Sequence, residues 1–163
     1  MFGRRAVALL IGLVVATAAV GGYALGAQRG SQATATREAL AADDDPIGAR
    51  GKTLALSRVT IPPGVRLPLH RHACTQVAYI DSGTLTYTVR TGLVRVTTGS
   101  PEGKHRVVRT IRAGQTGTIA AGQWIVEQPD EIHFAQNRGS RNVVVLLSTL
   151  FPIGAPPSIP IED

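Results

Sequence analysis

The sequence is poor in cysteine, in aromatic residues and in charge. It contains a single cysteine, Cys74, so an intramolecular disulfide is impossible and a small disulfide-stapled scaffold is excluded. Aromatic residues make up 4% and charged residues 17% of the chain, but hydrophobic residues make up 44%, which excludes a mainly disordered protein. Eighteen glycines and ten prolines indicate many turns, and this composition favours an all-β domain over a helical bundle.

The formal net charge of +6 does not by itself indicate a nucleic-acid partner. Arg4 and Arg5 belong to an N-terminal leader, and the remaining arginines are dispersed along the chain. Aromatic residues are scarce and no nucleic-acid-binding motif is present. We therefore expect no nucleic acid among the partners of this protein.

The first 27 residues have the pattern of an export signal. Arg4 and Arg5 precede an uncharged apolar run over residues 6–27, which as a helix would be about 33 Å long and could span a bilayer. This pattern predicts one hydrophobic helix, either a cleaved signal peptide or a retained anchor. Under either alternative the arginines stay in the cytoplasm and the rest of the chain lies outside it. We expect an extracytoplasmic protein that meets the membrane only through this segment.

The region after the leader changes character near residue 50. Residues 28–49 are small and polar and show no periodicity, which predicts a flexible linker. From residue 50 onward, short apolar or alternating runs are divided by glycine, proline, aspartate or asparagine. This spacing, without a helical period, predicts a β-sandwich or a small barrel over residues 50–158, followed by an irregular tail at 159–163.

Two of the predicted strands have informative patterns. In residues 84–90, Leu85, Tyr87 and Val89 alternate with polar residues and therefore share one face of a strand. Residues 142–150 are nearly all apolar, which is typical of a strand that is buried on both faces.

Three of the four histidines fall into an arrangement that could carry chemistry. His70 and His72 are two residues apart in an extended segment, so their side chains leave the same face. Gln76 follows four residues later, and His133 would arrive from a distant strand. Two imidazoles at this spacing, joined by groups from other strands, are how a barrel interior presents donors to a divalent cation.

The flanking residues make this stretch similar to the first motif of the cupin family. That motif runs Gly, five residues, H-x-H, three or four residues, Glu, six residues, Gly. The end of the second motif resembles the stretch from His133 to Asn137, and the resemblance covers about residues 50–158. It implies a cupin double-stranded β-helix, or jelly-roll, barrel with a divalent metal inside. The positions that match the first motif are Gly64, His70, His72 and Gly83, with Gln76 at the position of the Glu.

The resemblance implies that His70, His72, Gln76 and His133 are the metal ligands. Because Gln76 replaces a glutamate, this set is neutral and leaves the ion its full charge. Such imidazole-rich donors suit a transition metal (Zn, Fe, Ni, Cu or Mn) better than Mg or Ca.

The sequence identifies no catalytic residue firmly. Glu127 is a candidate because it precedes His133 and could orient an imidazole or act as a general base, although a surface position is common for such a residue. Tyr87 is a second candidate, which either lines a pocket or packs in the core. Cys74 is either a soft ligand beside the metal or a small packed residue.

Two functions remain open at this point. One is a metal-dependent enzyme acting on a small molecule, with Lewis-acid isomerase or lyase chemistry or dioxygenase chemistry. The alternative is a non-catalytic module that binds a small molecule or a metal, and a purely structural protein is a third reading. The resemblance also implies that two copies pair through their sheets, so we expect a homodimer.

Overall fold

The computed structural model describes residues 33–162, which form β-strands, turns and loops and contain no helix. The hydrophobic helix predicted for residues 1–27 lies outside the described residues and stays a prediction. Within residues 33–162, no helical segment has the length and apolar character that crossing a membrane requires.

The described residues form twelve strands. These are β1 (Thr36–Asp44), β2 (Lys52–Ile61), β3 (His70–Arg71), β4 (Gln76–Ser82), β5 (Thr84–Thr91), β6 (Leu93–Thr98), β7 (Arg106–Arg112), β8 (Thr116–Ala120), β9 (Gln123–Glu127), β10 (Ile132–Gln136), β11 (Val143–Pro152) and β12 (Ile159–Pro160).

The strands form two antiparallel sheets that enclose one apolar interior. The seven-stranded sheet has the order β1-β2-β11-β4-β9-β6-β7, and the five-stranded sheet has the order β12-β3-β10-β5-β8. Buried side chains from both sheets belong to a single core, including Ile80 and Ile125 from the first sheet and Val89 and Ile119 from the second. The predicted all-β jelly-roll architecture is therefore confirmed.

The alternation read from the sequence decides which side chains enter this interior. On β5, Leu85, Tyr87 and Val89 are at most 4% exposed, as predicted. Because successive side chains on a strand point to opposite faces, one face of each strand meets the core and the other meets solvent.

Tight turns join the strands, and Gly83 shows why one of them requires glycine. This residue links β4 to β5 with a φ of 81°, and a Cβ built there would lie 2.8 Å from the backbone oxygen of Asn142. A side chain at this position would strain the backbone, and it would also collide with the residues at the start of β11.

The prediction of a flexible linker over residues 28–49 is wrong for residues 36–44. These residues form β1, which pairs along its length with β2 and carries a β-bulge between Ala39 and Ala41. All nine residues of β1 are exposed, so no buried face left an alternating pattern in the sequence. Backbone pairing with a neighbouring strand overrides the weak β-propensity of this segment.

Two predictions about the C-terminal part also need correction. Strand β11 is buried on one face only, since Val143, Val145 and Leu147 are buried while Leu150 is 36% exposed. The segment predicted as an irregular tail begins with β12, which pairs with β3 opposite His70 and Arg71. This pairing covers the edge of β3, the strand that carries the H-x-H pattern.

Candidate metal site

The structure brings three histidines together inside the barrel. His70 lies on β3 and pairs with His133 on β10, and His72 follows directly after β3. Each of the three offers a ring nitrogen, and these nitrogens lie within 4.8 Å of one another. All three side chains are buried, with His133 only 1% exposed. The convergence expected from the H-x-H spacing is thus present in the fold, and the role of these residues as ligands remains a prediction.

Backbone carbonyls fix two of the imidazoles. The Nδ1 atom of His70 donates to the carbonyl oxygen of Pro68 at 2.7 Å, and the Nδ1 atom of His72 donates to that of Pro157 at 2.9 Å. A carbonyl oxygen can only accept, so the proton of each neutral ring is on Nδ1 and the lone pair is on Nε2. This arrangement orients a histidine for metal binding, and it fits a cation inside the barrel.

Burial keeps the imidazoles of His72 and His133 neutral. It lowers the pKa of His72, and it lowers the pKa of His133 to about 4, although the carboxylate of Glu127 opposes both shifts. Neutral imidazole is the form that coordinates a metal, so these rings are ready to bind without losing a proton at neutral pH.

A buried carboxylate shares the site with the histidines. Glu127, on β9, is 4% exposed, and its Oε1 lies 3.2 Å from Nε2 of His133 while its Oε2 lies 3.5 Å from Nε2 of His72. Burial by itself would raise the pKa of Glu127, but the positive charge that His133 and His72 carry when protonated, together with hydrogen bonds from Gln76 and Tyr87, lowers it below its ordinary value. The structure therefore places an acidic side chain beside the predicted neutral ligands His70, His72, Gln76 and His133, and the role of those four residues as ligands stays a prediction.

Gln76 lies beside His72 as expected, but it presents a different atom. Its amide nitrogen lies 3.0 Å from Nε2 of His72 and donates a hydrogen bond to Oε2 of Glu127. The opposite orientation would set the amide oxygen against the carboxylate. Within the described residues, the amide oxygen of Gln76 is buried and has no hydrogen-bond partner. The predicted carbonyl donor therefore does not face the imidazoles in this arrangement.

Tyr87 reaches the same carboxylate from the opposite sheet. Its hydroxyl donates to Oε1 of Glu127 at 2.7 Å, and its ring stacks on that of His133 with the centroids 4.8 Å apart. Burial and the nearby carboxylate raise the pKa of Tyr87 well above its ordinary value, so the phenol keeps its proton. Of the two readings of Tyr87, the structure combines both: the side chain is in the core and lines the cavity.

The donors lie at the wall of a cavity of about 250 Å³. Most of its lining is apolar, with side chains from both sheets such as Ile61, Leu85 and Leu147. Arg37, on β1, adds a cationic side chain to the lining. A small molecule with an apolar body and a negatively charged group matches this lining.

Cys74, which the sequence singled out, and Glu131, which is close to His133 in the chain, lie outside the histidine group. Cys74 is half-buried, and its Sγ lies 3.8 Å from Nζ of Lys52. Glu131 precedes β10 and accepts a hydrogen bond from the backbone of Gln128, while burial raises its pKa to about 7. The clustered residues within 33–162 are His70, His72 and His133, so neither Cys74 nor Glu131 belongs to them.

Sequence reasoning gave Glu127 too little weight, although its pattern carried a signal. Strand β9 alternates, with Ile125 and Glu127 buried and Val126 partly exposed. An apolar residue two positions before a glutamate on a short strand puts both side chains on the interior face. The register of β9 against β4, in which Glu127 pairs with Gln76, was not readable from the sequence.

No protein-family model matches the chain, and no curated protein matches it in sequence. Solved structures do resemble it. A cupin 2 domain-containing protein from Halorhodospira halophila aligns with a TM-score of 0.51 and 14% identity, over 83% of this chain and 77% of that chain. A cupin-like protein from Thermotoga maritima aligns with a TM-score of 0.51 and 16% identity, over 79% of this chain and 77% of that chain.

Enzymes occur among the more distant matches. A DMSP lyase from Ruegeria pomeroyi aligns with a TM-score of 0.45 and 15% identity, over 70% of this chain and 45% of that chain. At these identities the likeness concerns the fold alone, which agrees with the two facing antiparallel sheets. The chain has the fold of the cupin superfamily.

Proposed function

We propose that this protein is an exported metal-dependent enzyme that holds a divalent transition metal at His70, His72 and His133 and acts on a small molecule in the adjoining cavity. The observation that carries the proposal is the orientation of the imidazoles. Three buried rings converge, and two of them have Nδ1 committed to backbone carbonyls, which leaves Nε2 free to coordinate. Zn, Fe, Ni, Cu and Mn are the metals that such a donor set accommodates.

The metal, when bound, would polarise an oxygen atom of the substrate as a Lewis acid. The protein's own residues do the remaining work. The apolar walls of the cavity exclude water, which strengthens every electrostatic interaction inside it. Arg37 attracts a negatively charged group toward the cavity, and Tyr87 keeps the carboxylate of Glu127 in place. The favoured substrate is a small organic anion with an apolar body.

Metal binding can be tested on the untagged full chain. We expect His133→Ala to weaken Zn²⁺ binding by more than about 100-fold, which exceeds the usual cost of changing only an outer-shell partner. His105→Ala is the matched control, since His105 is exposed and outside the cluster. Competition with a chromogenic chelator measures the affinity, and elemental analysis gives the stoichiometry. Equal metal content in both variants and the wild type would refute the histidine site.

The same preparation separates an enzyme from a binding module. We expect small carboxylates with apolar bodies to be converted by the metal-loaded protein and not after chelation. Arg37→Gln should raise the substrate concentration needed for half-maximal rate, because the cation near the cavity is lost. Saturable binding of such an anion without any conversion would favour the non-catalytic module instead.

Export and pairing complete the proposal. The basic, then apolar, leader supports a location outside the cytoplasm, and fractionation of cells that express the full chain tests it.

The outer face of the seven-stranded sheet supports a homodimer, because apolar side chains on β2, β4 and β11 remain 36–46% exposed there. Sedimentation of the wild type and of Tyr79→Lys tests this pairing. The exposed set is Leu54, Leu56, Val77, Tyr79 and Leu150.

A further inference from the structure

We infer that Glu127 is the fourth metal ligand, and that β9 supplies to this site the negative charge that Gln76 on β4 does not. The inference rests on the proposed function in one respect, that a metal binds at the three histidines. It adds a ligand that the sequence pattern did not assign, and it changes the charge of the site.

The position of Glu127 follows from strand register. Strands β4 and β9 are neighbours, and Gln76 pairs directly with Glu127. Side chains of such a pair stand side by side on one face of a sheet, here the face that meets the interior. Both residues are buried, at 3% and 4% exposure. A carboxylate on β9 can therefore reach the same point in the barrel as a side chain at position 76.

The distances match those between two ligands of one ion. Ligand atoms about 2.0–2.1 Å from a tetrahedral metal lie about 3.3–3.4 Å from each other. The carboxylate oxygens of Glu127 lie 3.2 Å from Nε2 of His133 and 3.5 Å from Nε2 of His72. Each oxygen of the carboxylate thus lies at the distance from one imidazole that two ligands of one ion would have, and the amide of Gln76 would turn away from this point when an ion binds.

Two hydrogen-bond acceptors face each other at His72. Because Nδ1 of His72 donates to Pro157, its Nε2 carries a lone pair. That lone pair lies 3.5 Å from Oε2 of Glu127, so two acceptors are close together in a buried place. Two buried acceptors are stable together only when a donor or a positive charge serves both.

Gln76 supplies that donor. Its amide nitrogen is within hydrogen-bond distance of both Nε2 of His72 and Oε2 of Glu127, while its own oxygen is buried and has no partner among residues 33–162. An amide N–H group cannot coordinate a metal, so Gln76 in this orientation positions the carboxylate and does not serve as a ligand. The hydroxyl of Tyr87 restrains the other oxygen.

Moving the carboxylate between the two paired positions tests this inference. Co²⁺ is the probe, because its visible absorption depends on the ligand set and its affinity can be measured by competition with a chelator. The variants of the full chain are Glu127→Gln, which keeps the size of the side chain, and the exchange variant Gln76→Glu/Glu127→Gln. Glu131→Gln is the matched control, since Glu131 is near His133 in sequence and its carboxylate accepts a hydrogen bond from the backbone of Gln128. Thermal melting of the metal-free proteins checks that each variant folds.

We expect Glu127→Gln to bind Co²⁺ at least tenfold more weakly and with a changed visible spectrum. The exchange variant should recover most of the affinity, and Glu131→Gln should behave as the wild type. An unchanged spectrum in Glu127→Gln, at any affinity, would overturn the inference and leave the histidine site intact. A wild-type protein that binds no Co²⁺ or Zn²⁺ would overturn both the inference and the proposed function.

Discussion

The two sheets contribute different chemistry to the same interior. The five-stranded sheet carries His70, His133 and Tyr87, which are nitrogen donors and a protonated phenol at neutral pH. The seven-stranded sheet carries Gln76 and the ionised Glu127. The polar groups of the site are divided between the two sheets, and the hydrogen bond from Tyr87 to Glu127 connects them. The relative position of these polar groups therefore depends on how the two sheets pack.

The largest expected effect on stability comes from the apolar side chains that pack between the two sheets. Ile119 on β8 and Ile125 on β9 belong to different sheets. Both are 0% exposed, and both pack in the single core between the sheets. Replacing either with alanine should lower the free energy of unfolding by about 2–5 kcal/mol, because the substitution removes buried methylene and methyl groups and leaves a cavity in the core. Urea denaturation of the metal-free protein measures this loss.

The same pair separates stability from the site. Ile125 lines the cavity and is two residues from Glu127, whereas Ile119 is not part of the lining. Metal affinity should therefore fall in Ile125→Ala and stay close to wild type in Ile119→Ala. If both variants lost affinity equally, the site would depend on overall stability and not on the local wall.

A smaller effect is expected when the link between the sheets is removed. Tyr87→Phe deletes the hydroxyl that donates to Oε1 of Glu127, and a buried carboxylate oxygen loses a donor. The free energy of unfolding of the metal-free protein should drop by about 1–3 kcal/mol. Tyr79→Phe is the control, because Tyr79 is 40% exposed on the outer face and should cost less than about 0.5 kcal/mol. Equal losses in the two variants would contradict a role for the hydroxyl of Tyr87.

The smallest expected effect on stability comes from Glu131, whose carboxylate lies in the connection between β9 and β10. Burial raises the pKa of Glu131 to about 7, so the folded protein holds this proton more tightly than the unfolded chain does. Ionisation of Glu131 therefore destabilises the fold, and stability is lost as the pH rises from the ordinary pKa of the group toward 7 and above. Glu131→Gln cannot ionise and keeps an acceptor for the Gln128 backbone.

The advantage of Glu131→Gln over wild type should grow by roughly 1 kcal/mol between pH 5 and pH 8, a value reduced for solvent screening. Urea denaturation of metal-free protein at the two pH values measures it. An advantage that shrinks with rising pH would show that Glu131 is stabilised as an anion. Metal affinity at pH 7 should not change, which distinguishes Glu131 from Glu127.

Local pattern was enough to predict most strands between residues 50 and 152 and the histidine cluster. Alternation fixed the inward face of β5, and the i, i+2 spacing put His70 and His72 on one side of an extended segment. What local pattern could not provide was the pairing of distant strands. The place of Glu127 beside Gln76 depends on the register of β4 with β9, and the existence of β1 depends on the backbone of β2. Both are long-range properties, and the exposed residues of β1 leave no periodic signal.

The carbonyl of Pro157 that holds His72 comes after β1 to β11 in the chain. During synthesis, the H-x-H segment therefore exists long before the group that orients its second imidazole. A chain that has formed only the first eleven strands still lacks this hydrogen bond and the β12 pairing with β3. The orientation of the second imidazole is thereby tied to the last part of folding.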